Sequence, residues 1–194
     1  MKNKIKTLFI ASILSSLSAC AFVPEQVHLQ PQVIPVTSSN IGKGKMVAVQ
    51  VIDARSNTTL GGRPSGYGPA ASITLADNIQ TVVQAAIYQG LTDYGFKPIP
   101  FNPNTTRKLT LRVIALNYRQ HEGFFTSSVE VNSTIEATAN NESNNYDHVY
   151  RGEQNSNIIV TPTSGQDSHN INVVFSNTLN QITQDDQLMH FLAK

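Results

Sequence analysis

Apolar side chains recur along this chain at two different periods, and the places where the period changes mark out the elements. Over Met46–Asp53, Val47, Val49 and Val51 alternate onto one face while Ala48 and Ile52 make the other face partly apolar. That pattern predicts a central, well-buried strand. From Ser72 to Tyr94 the spacing changes to threes and fours, through Leu75, Ile79, Val82, Val83, Ala86, Ile87, Leu91 and Tyr94. One helix follows, capped by Ser72 and stopped by Gly95 and Pro98. Between the two, residues 54 to 71 hold Gly61, Gly62, Gly66, Gly68, Pro64 and Pro69 and read as an irregular, mobile loop.

Alternation returns after a proline-punctuated loop. Leu109, Leu111, Val113 and Ala115 predict a strand running to Tyr118, and Val129, Val131, Ile135, Ala137 and Ala139 predict another whose second face, with Glu130, Asn132, Thr134, Glu136 and Thr138, is wet. An Asn-rich turn over Asn140–Asp147 leads to a further strand over His148–Val160, completing an antiparallel meander. A second helix starts with Asp167 as N-cap and carries Ile171, Val174, Phe175, Leu179 and Ile182. The polar run Thr183–Gln187 interrupts it before Leu188, Met189, Phe191 and Leu192, which predicts a bend or a short extra helix.

The element order is therefore β-α-β-β-β-α. It predicts an α+β two-layer sandwich, a four-stranded mixed sheet with two helices on one face, since a strand joined to the next through a helix favours a parallel pair. The sheet's other face is partly polar, open to solvent or a partner.

The first 19 residues follow a different logic. Lys2, Lys4 and Lys6 precede an apolar run, Thr7–Leu17, and then Leu17-Ser18-Ala19-Cys20. The run is about 11 residues, against the ~20 that span a bilayer, so it is a secretory signal and not a membrane anchor. Leu17-Ser18-Ala19-Cys20 resembles the bacterial lipobox, which implies cleavage between Ala19 and Cys20 and a diacylglycerol and acyl chain on the Cys20 thiol. Cys20 is the only cysteine in the chain, so it has no intramolecular disulfide partner. Ala21 follows it where retention in the inner membrane resembles a pattern with Asp. The resemblance implies the inner leaflet of the outer membrane, facing the periplasm.

Residues 20–45, with Pro24, Pro31, Pro35, Gly42 and Gly44, read as a lipidated N-terminus and extended tether. Such a tether reaches about 80 Å at ~3.3 Å per residue. Val33–Val36 is alternatively an edge strand lying along the domain, which shortens that reach. Residues 46–194 read as one periplasmic α+β domain. Without Lys2, Lys4 and Lys6 the mature chain has 11 basic residues against 13 acidic ones, and no basic patch for nucleic acid is indicated.

Taken together, the signal, the lipobox, Val47-Ala48-Val49-Gln50-Val51-Ile52-Asp53-Ala54-Arg55-Ser56, the loop Leu60-Gly61-Gly62-Arg63 and the helix end Asp93-Tyr94-Gly95-Phe96 resemble the YajG family of outer-membrane lipoproteins. The resemblance implies a location and a fold but no biochemical activity. Looser similarity to small envelope lipoproteins implies an accessory or assembly role.

Candidate chemistry is sparse. His28, His121, His148, His169 and His190 show no spacing that sets two ligands on one helix face, so neither a metal nor another cofactor is expected. There is no Gly-x-Ser-x-Gly elbow for a serine nucleophile. The loop Gly61–Gly68 lacks the Lys-Ser or Lys-Thr of a phosphate-binding loop and is broken by Pro64. Within it Arg63 and Tyr67 are candidate partner contacts, because arginine and tyrosine are frequent interface anchors. Asp53 and Arg55 read as a paired strand end, and Phe124-Phe125 as core or edge residues at a hairpin base. Two functions follow from these residues. One is a non-catalytic, lipid-anchored binding, accessory or assembly factor with an envelope protein partner. The alternative is a cell-wall or lipid-directed hydrolase in which acids such as Asp53, Glu122 and Glu153 converge.

Overall fold

The computed structural model describes residues 23–36, 40–65, 68–123, 126–142, 144–158 and 163–194. Its elements, in chain order, are β1 (Glu25–Val27), β2 (Met46–Asp53), β3 (Thr59–Ser65), β4 (Gly68–Leu75), α1 (Ile79–Asp93), β5 (Lys97–Pro100), β6 (Arg107–His121), β7 (Ser127–Asn141), β8 (Asn144–Ile158), α2 (Ser164–Thr183) and α3 (Asp186–Ala193). The architecture is mixed α+β. A five-stranded sheet has the order β5-β2-β6-β7-β8, and a three-stranded sheet the order β1-β4-β3.

The meander is as the alternation predicts. β6, β7 and β8 pair antiparallel along most of their length, with one irregularity between Val113 and Ala115. Along β7, Val129, Val131, Ile135, Ala137 and Ala139 are buried while Glu130 to Thr138 on the other face stay partly exposed. β2 lies parallel to both β5 and β6, so the predicted parallel pair across a helix is present. The helices cover the sheet's apolar face with Ile79, Val83, Ile87 and Leu91 of α1, Ile171, Val174, Phe175, Leu179 and Ile182 of α2, and Leu188, Met189 and Leu192 of α3. α2 sits close upon β8 because Gly152 has no side chain: a Cβ there lies 2.4 Å from Thr178 Oγ1 and 2.8 Å from the Val174 carbonyl.

The predicted four-stranded sheet is corrected in two places. β5, with Pro98 and Pro100, adds an edge strand inside the loop expected after α1, where prolines withdraw donors that an edge does not need. The predicted loop over residues 54 to 71 is largely β3 and the start of β4. Its glycines serve close packing: a Cβ on Gly61 lies 1.9 Å from the Tyr118 carbonyl oxygen, so only glycine lets β3 pass this close to β6.

Helix starts also move. Ser72 to Leu75 belong to β4, and Asn78 caps α1, its Oδ1 accepting from the Gln80 N–H at 2.9 Å and the Thr81 N–H at 3.2 Å. Ile73 and Leu75 fit a two-residue period as well as a helical one. α2 starts three residues before the expected Asp167, capped by Thr163 in a capping box with Gln166. The predicted interruption at Thr183–Gln187 is real: α2 ends at Thr183 and α3 begins at Asp186.

Candidate functional site

The segment expected to be a tether is, from Glu25 to Ile34, a strap fixed to the folded body. Its side chains alternate strictly: Glu25, Val27 and Leu29 are buried, while Gln26, His28, Gln30, Gln32 and Ile34 are exposed. β1 adds to the three-stranded sheet in parallel with β4, pairing Glu25 with Ile73 and Val27 with Leu75. Beyond Val27 the strap leaves the sheet and runs along α2. It does so on one row of that helix, Asn172, Ser176 and Asn180, spaced four apart.

That row acts as a substitute strand. The N–H groups of Gln30, Gln32 and Ile34 donate to Asn172 Oδ1 (2.6 Å), Ser176 Oγ (3.0 Å) and Asn180 Oδ1 (2.8 Å). In return Asn172 Nδ2 and Asn180 Nδ2 donate to the carbonyls of His28 and Gln32, each at 2.9 Å. The match is geometric: two residues of strand advance about 6.6 Å and four of helix about 6.0 Å, so the ladders stay in step over three rungs. An amide side chain carries a donor and an acceptor and can satisfy both groups of a passing backbone.

Where the strap begins, four elements meet in a buried charge cluster. Arg63 of β3, 2% exposed, donates from Nε to Asp167 Oδ2 at 2.6 Å and pairs through its Nη2 with Glu25 of β1. Tyr118 of β6 donates to the other oxygen of Asp167 at 2.8 Å, and Ser168 of α2 donates to Glu25 at 2.8 Å. Burial pushes the Glu25 carboxyl above its ordinary pKa; the bond from Ser168 and the charge of Arg63 offset this only in part, and Asp167 adds to the rise. Burial, and then the bond to Asp167, pushes the Tyr118 phenol far up, so it remains a neutral donor. These polar groups are bonded to one another. The arrangement clips β1, β3, β6 and α2 together, and its arginine is the guanidinium that the sequence places on a partner-facing loop.

Outside the cluster, the strap and α2 border an open groove of about 650 Å³. Its lining is amide- and hydroxyl-rich and carries no charged side chain of the Lys, Arg, Asp or Glu type; Gln26, Gln30, Ser168 and Asn177 contribute, with the imidazoles of His28 and His169. His28 also stands 3.3 Å from Asp77, in a pair exposed to water. Such a lining recognises backbone amides or hydroxyls by hydrogen bonds.

Other sequence-selected residues do not gather here. Ala19, Cys20, Tyr67, Phe124 and Phe125 lie outside the described residues. Asp53 pairs with Arg55 through two bonds of 2.8 Å, which hold its carboxyl below its ordinary pKa, and this is the strand-end pair expected. His121 faces Glu130 at 3.4 Å in an exposed position. Asp53, Glu122 and Glu153 do not converge. The β2–β6 register places Asp53 beside Val113, whereas Glu153 lies beside Asn132 on β7 and Glu122 follows the end of β6. At ~3.3 Å per residue and ~4.8 Å per strand, each pair is separated by roughly 15 Å or more along the backbone, beyond the ~10 Å of paired glycosidase carboxylates. Among the described residues no three His, Cys, Asp or Glu side chains are grouped to hold a metal ion, and no helix is long and apolar enough to cross a membrane.

The strap and the Asn172–Asn180 row were missed by sequence reasoning, although a signal existed. Val27 and Leu29 alternate with Gln26, His28 and Gln30, and a helical row of Asn, Ser and Asn at four-residue spacing is an unusual choice for a merely solvated face.

No curated protein sequence matches this chain. Solved structures similar to it include a minor lipoprotein from Acinetobacter baumannii, at 15% identity over 75% of this chain and 92% of that one with a TM-score of 0.44. A protein from Xanthomonas campestris of the DUF330 family is 12% identical over 85% and 92%, with a TM-score of 0.46. A lipoprotein from Neisseria meningitidis is 11% identical over 73% and 99%, with a TM-score of 0.35. A family model described as "Uncharacterized lipoprotein" matches residues 31–193, nearly the whole of the folded part, and the chain therefore belongs to that lipoprotein family.

Proposed function

We propose that this chain is a lipoprotein of the YajG type, anchored through acylated Cys20 in the inner leaflet of the outer membrane, and that it works there as a non-catalytic binding or assembly factor for another envelope component. The observation that carries this reading is the division of its polar groups. Arg63, Glu25, Asp167 and Tyr118 are consumed in bonding one another beneath the surface. The accessible groove, by contrast, offers the amides of Gln26, Gln30 and Asn177 and the imidazoles of His28 and His169, groups that recognise a partner. The dispersal of Asp53, Glu122 and Glu153 across the sheet weighs against the hydrolase alternative.

Two measurements test the reading. Radiolabelled palmitate is expected on the wild type and not on Cys20→Ser; equal labelling of both overturns the anchor. Photo-crosslinkers placed in living cells at Gln30 and Asn177, in the groove, are expected to capture one specific envelope protein, and one at Thr134, on the open sheet face, to capture less of it. No specific adduct from either groove position overturns the binding role.

A further inference from the structure

The strap changes what the anchor can do. If residues 21 to 45 were free, the domain would range some 80 Å from its lipid, at ~3.3 Å per residue. Glu25, however, is held by Arg63 and Ser168, Val27 is buried in the three-stranded sheet, and Gln30, Gln32 and Ile34 are bonded to α2. Only Ala21, Phe22, Val23 and Pro24 separate Cys20 from β1. Fully stretched, that is at most about 18 Å between Cys20 and Glu25 at ~3.6 Å per step. Three of those four residues are apolar, and Val23 is 56% exposed with its side chain outside the core. Such a leader gains by lying in the bilayer interface, which shortens the distance further.

We propose that the end of the domain carrying the strap's origin is a bilayer-facing surface, held against the lipid headgroups by a leader too short to let it turn away. This rests on lipidation of Cys20. The surface comprises the first turn of α2 from Ser164 to Ser168, the end of β8 at Ile158, and the residues flanking the β6–β7 connection, Gly123 and Thr126. Glu25 touches α2 through Ser168, Asp167 touches β6 through Tyr118, and Ile158 pairs with Ser127, so these parts share one end of the molecule. The opposite end holds the β7–β8 turn between Asn141 and Asn144, and β7 alone separates the two by about 45 Å. Lys45, Lys97, Arg107 and Lys108 gather at that opposite end, next to the Arg107–Asn141 pair, so charge alone would draw the other end toward anionic lipid and it is the short attachment that sets the orientation. Partners other than lipid then meet the groove from the side and the β7–β8 turn from above.

The test uses the full-length lipoprotein in vesicles of phosphatidylethanolamine and phosphatidylglycerol. Because acylation occupies the chain's one cysteine, Thr126→Cys and Asn144→Cys each supply a single thiol for a fluorophore. Palmitate incorporation and co-flotation with vesicles are scored first; their failure sinks the anchoring reading itself. For protein that floats, a headgroup-attached quencher is expected to quench the probe at 126 several-fold more than the probe at 144, and equal quenching overturns the orientation. Inserting a flexible Gly/Ser spacer between Val23 and Pro24 leaves every described contact of the fold in place and is expected to erase the difference. A difference that survives the spacer shows that something other than the short leader orients the domain, and overturns the proposal.

Discussion

Helix α2 is held at its two ends by carboxylates treated in opposite ways. At its N-terminal end Glu25 and Asp167 share one guanidinium, and the Glu25 carboxyl is pushed above its ordinary pKa by burial. Just past its C-terminal end, Asp185 accepts from Tyr146 Oη at 2.7 Å and from Tyr150 Oη through Oδ2, and caps α3 by accepting from the Gln187 and Leu188 N–H groups through Oδ1. Burial raises the Asp185 pKa too, but the bonds from Tyr150, Tyr146 and the two backbone groups outweigh it, and the net shift is downward. Burial alone therefore does not set the sign. What decides is the number of donors per carboxylate and whether a second acid competes for them.

The contrast is broken most severely at the N-terminal end. Asp167→Ala leaves Arg63 buried with one partner and Tyr118 without its acceptor, and is expected to destabilise by about 3–5 kcal/mol, the usual penalty for opening a buried ion pair. The denaturation midpoint read by circular dichroism checks it; a loss under about 1 kcal/mol would mean the cluster is already solvated. Next in size is Asp185→Ala, which removes the α3 cap and the acceptor of two tyrosines. About 2–3 kcal/mol is expected, from ~1 for the cap and ~1 for each lost bond after partial rehydration. Asp185→Asn, which keeps an acceptor oxygen, should recover part of that loss in the same assay.

The smallest effect is the most diagnostic, because the two ends should answer pH in opposite directions. Glu25 has a folded pKa above its unfolded value of 4.5, so the folded state binds the extra proton. Its contribution is most favourable below 4.5 and declines as pH rises from there through the folded value. Asp185 has a folded pKa below 3.8, so its contribution is present above 3.8 and is lost as pH falls through the folded value. Glu25→Gln should accordingly flatten the stability profile above pH 4.5 and leave the acid limb intact, whereas Asp185→Asn should flatten the acid limb. Parallel profiles for wild type and Glu25→Gln would show that Glu25 has no raised pKa.

Much of the scaffold was legible because it follows local rules. The meander, the strand Met46–Asp53, the body of α1 and the break before α3 each answer to a period of two or of three to four, read within a dozen residues. The corrections have a common cause in contacts with distant segments. Gly61 reads as flexibility until Tyr118 is seen to need the space. Ser72 reads as a cap until β4 claims it, and Asp167 reads as a cap until Arg63 and Tyr118 claim its carboxylate. Arg63 reads as an exposed anchor because nothing near it in sequence neutralises its charge; Glu25 lies 38 residues before it and Asp167 104 residues after.

The sequence by itself determined the signal-like leader, the cysteine at its end, the α+β class and the faces that each long element buries, since these depend on composition and on side-chain period. Tertiary structure alone decided that residues 25–34 are a strap and not a tether. A ten-residue segment with one proline, Pro31, and four aliphatic side chains, Val27, Leu29, Val33 and Ile34, has too little hydrophobic area to dock by its own pattern. It docks because Asn172, Ser176 and Asn180, some 140 residues away, present donors and acceptors at the spacing of an extended backbone, and neither segment's own period names the other as its partner.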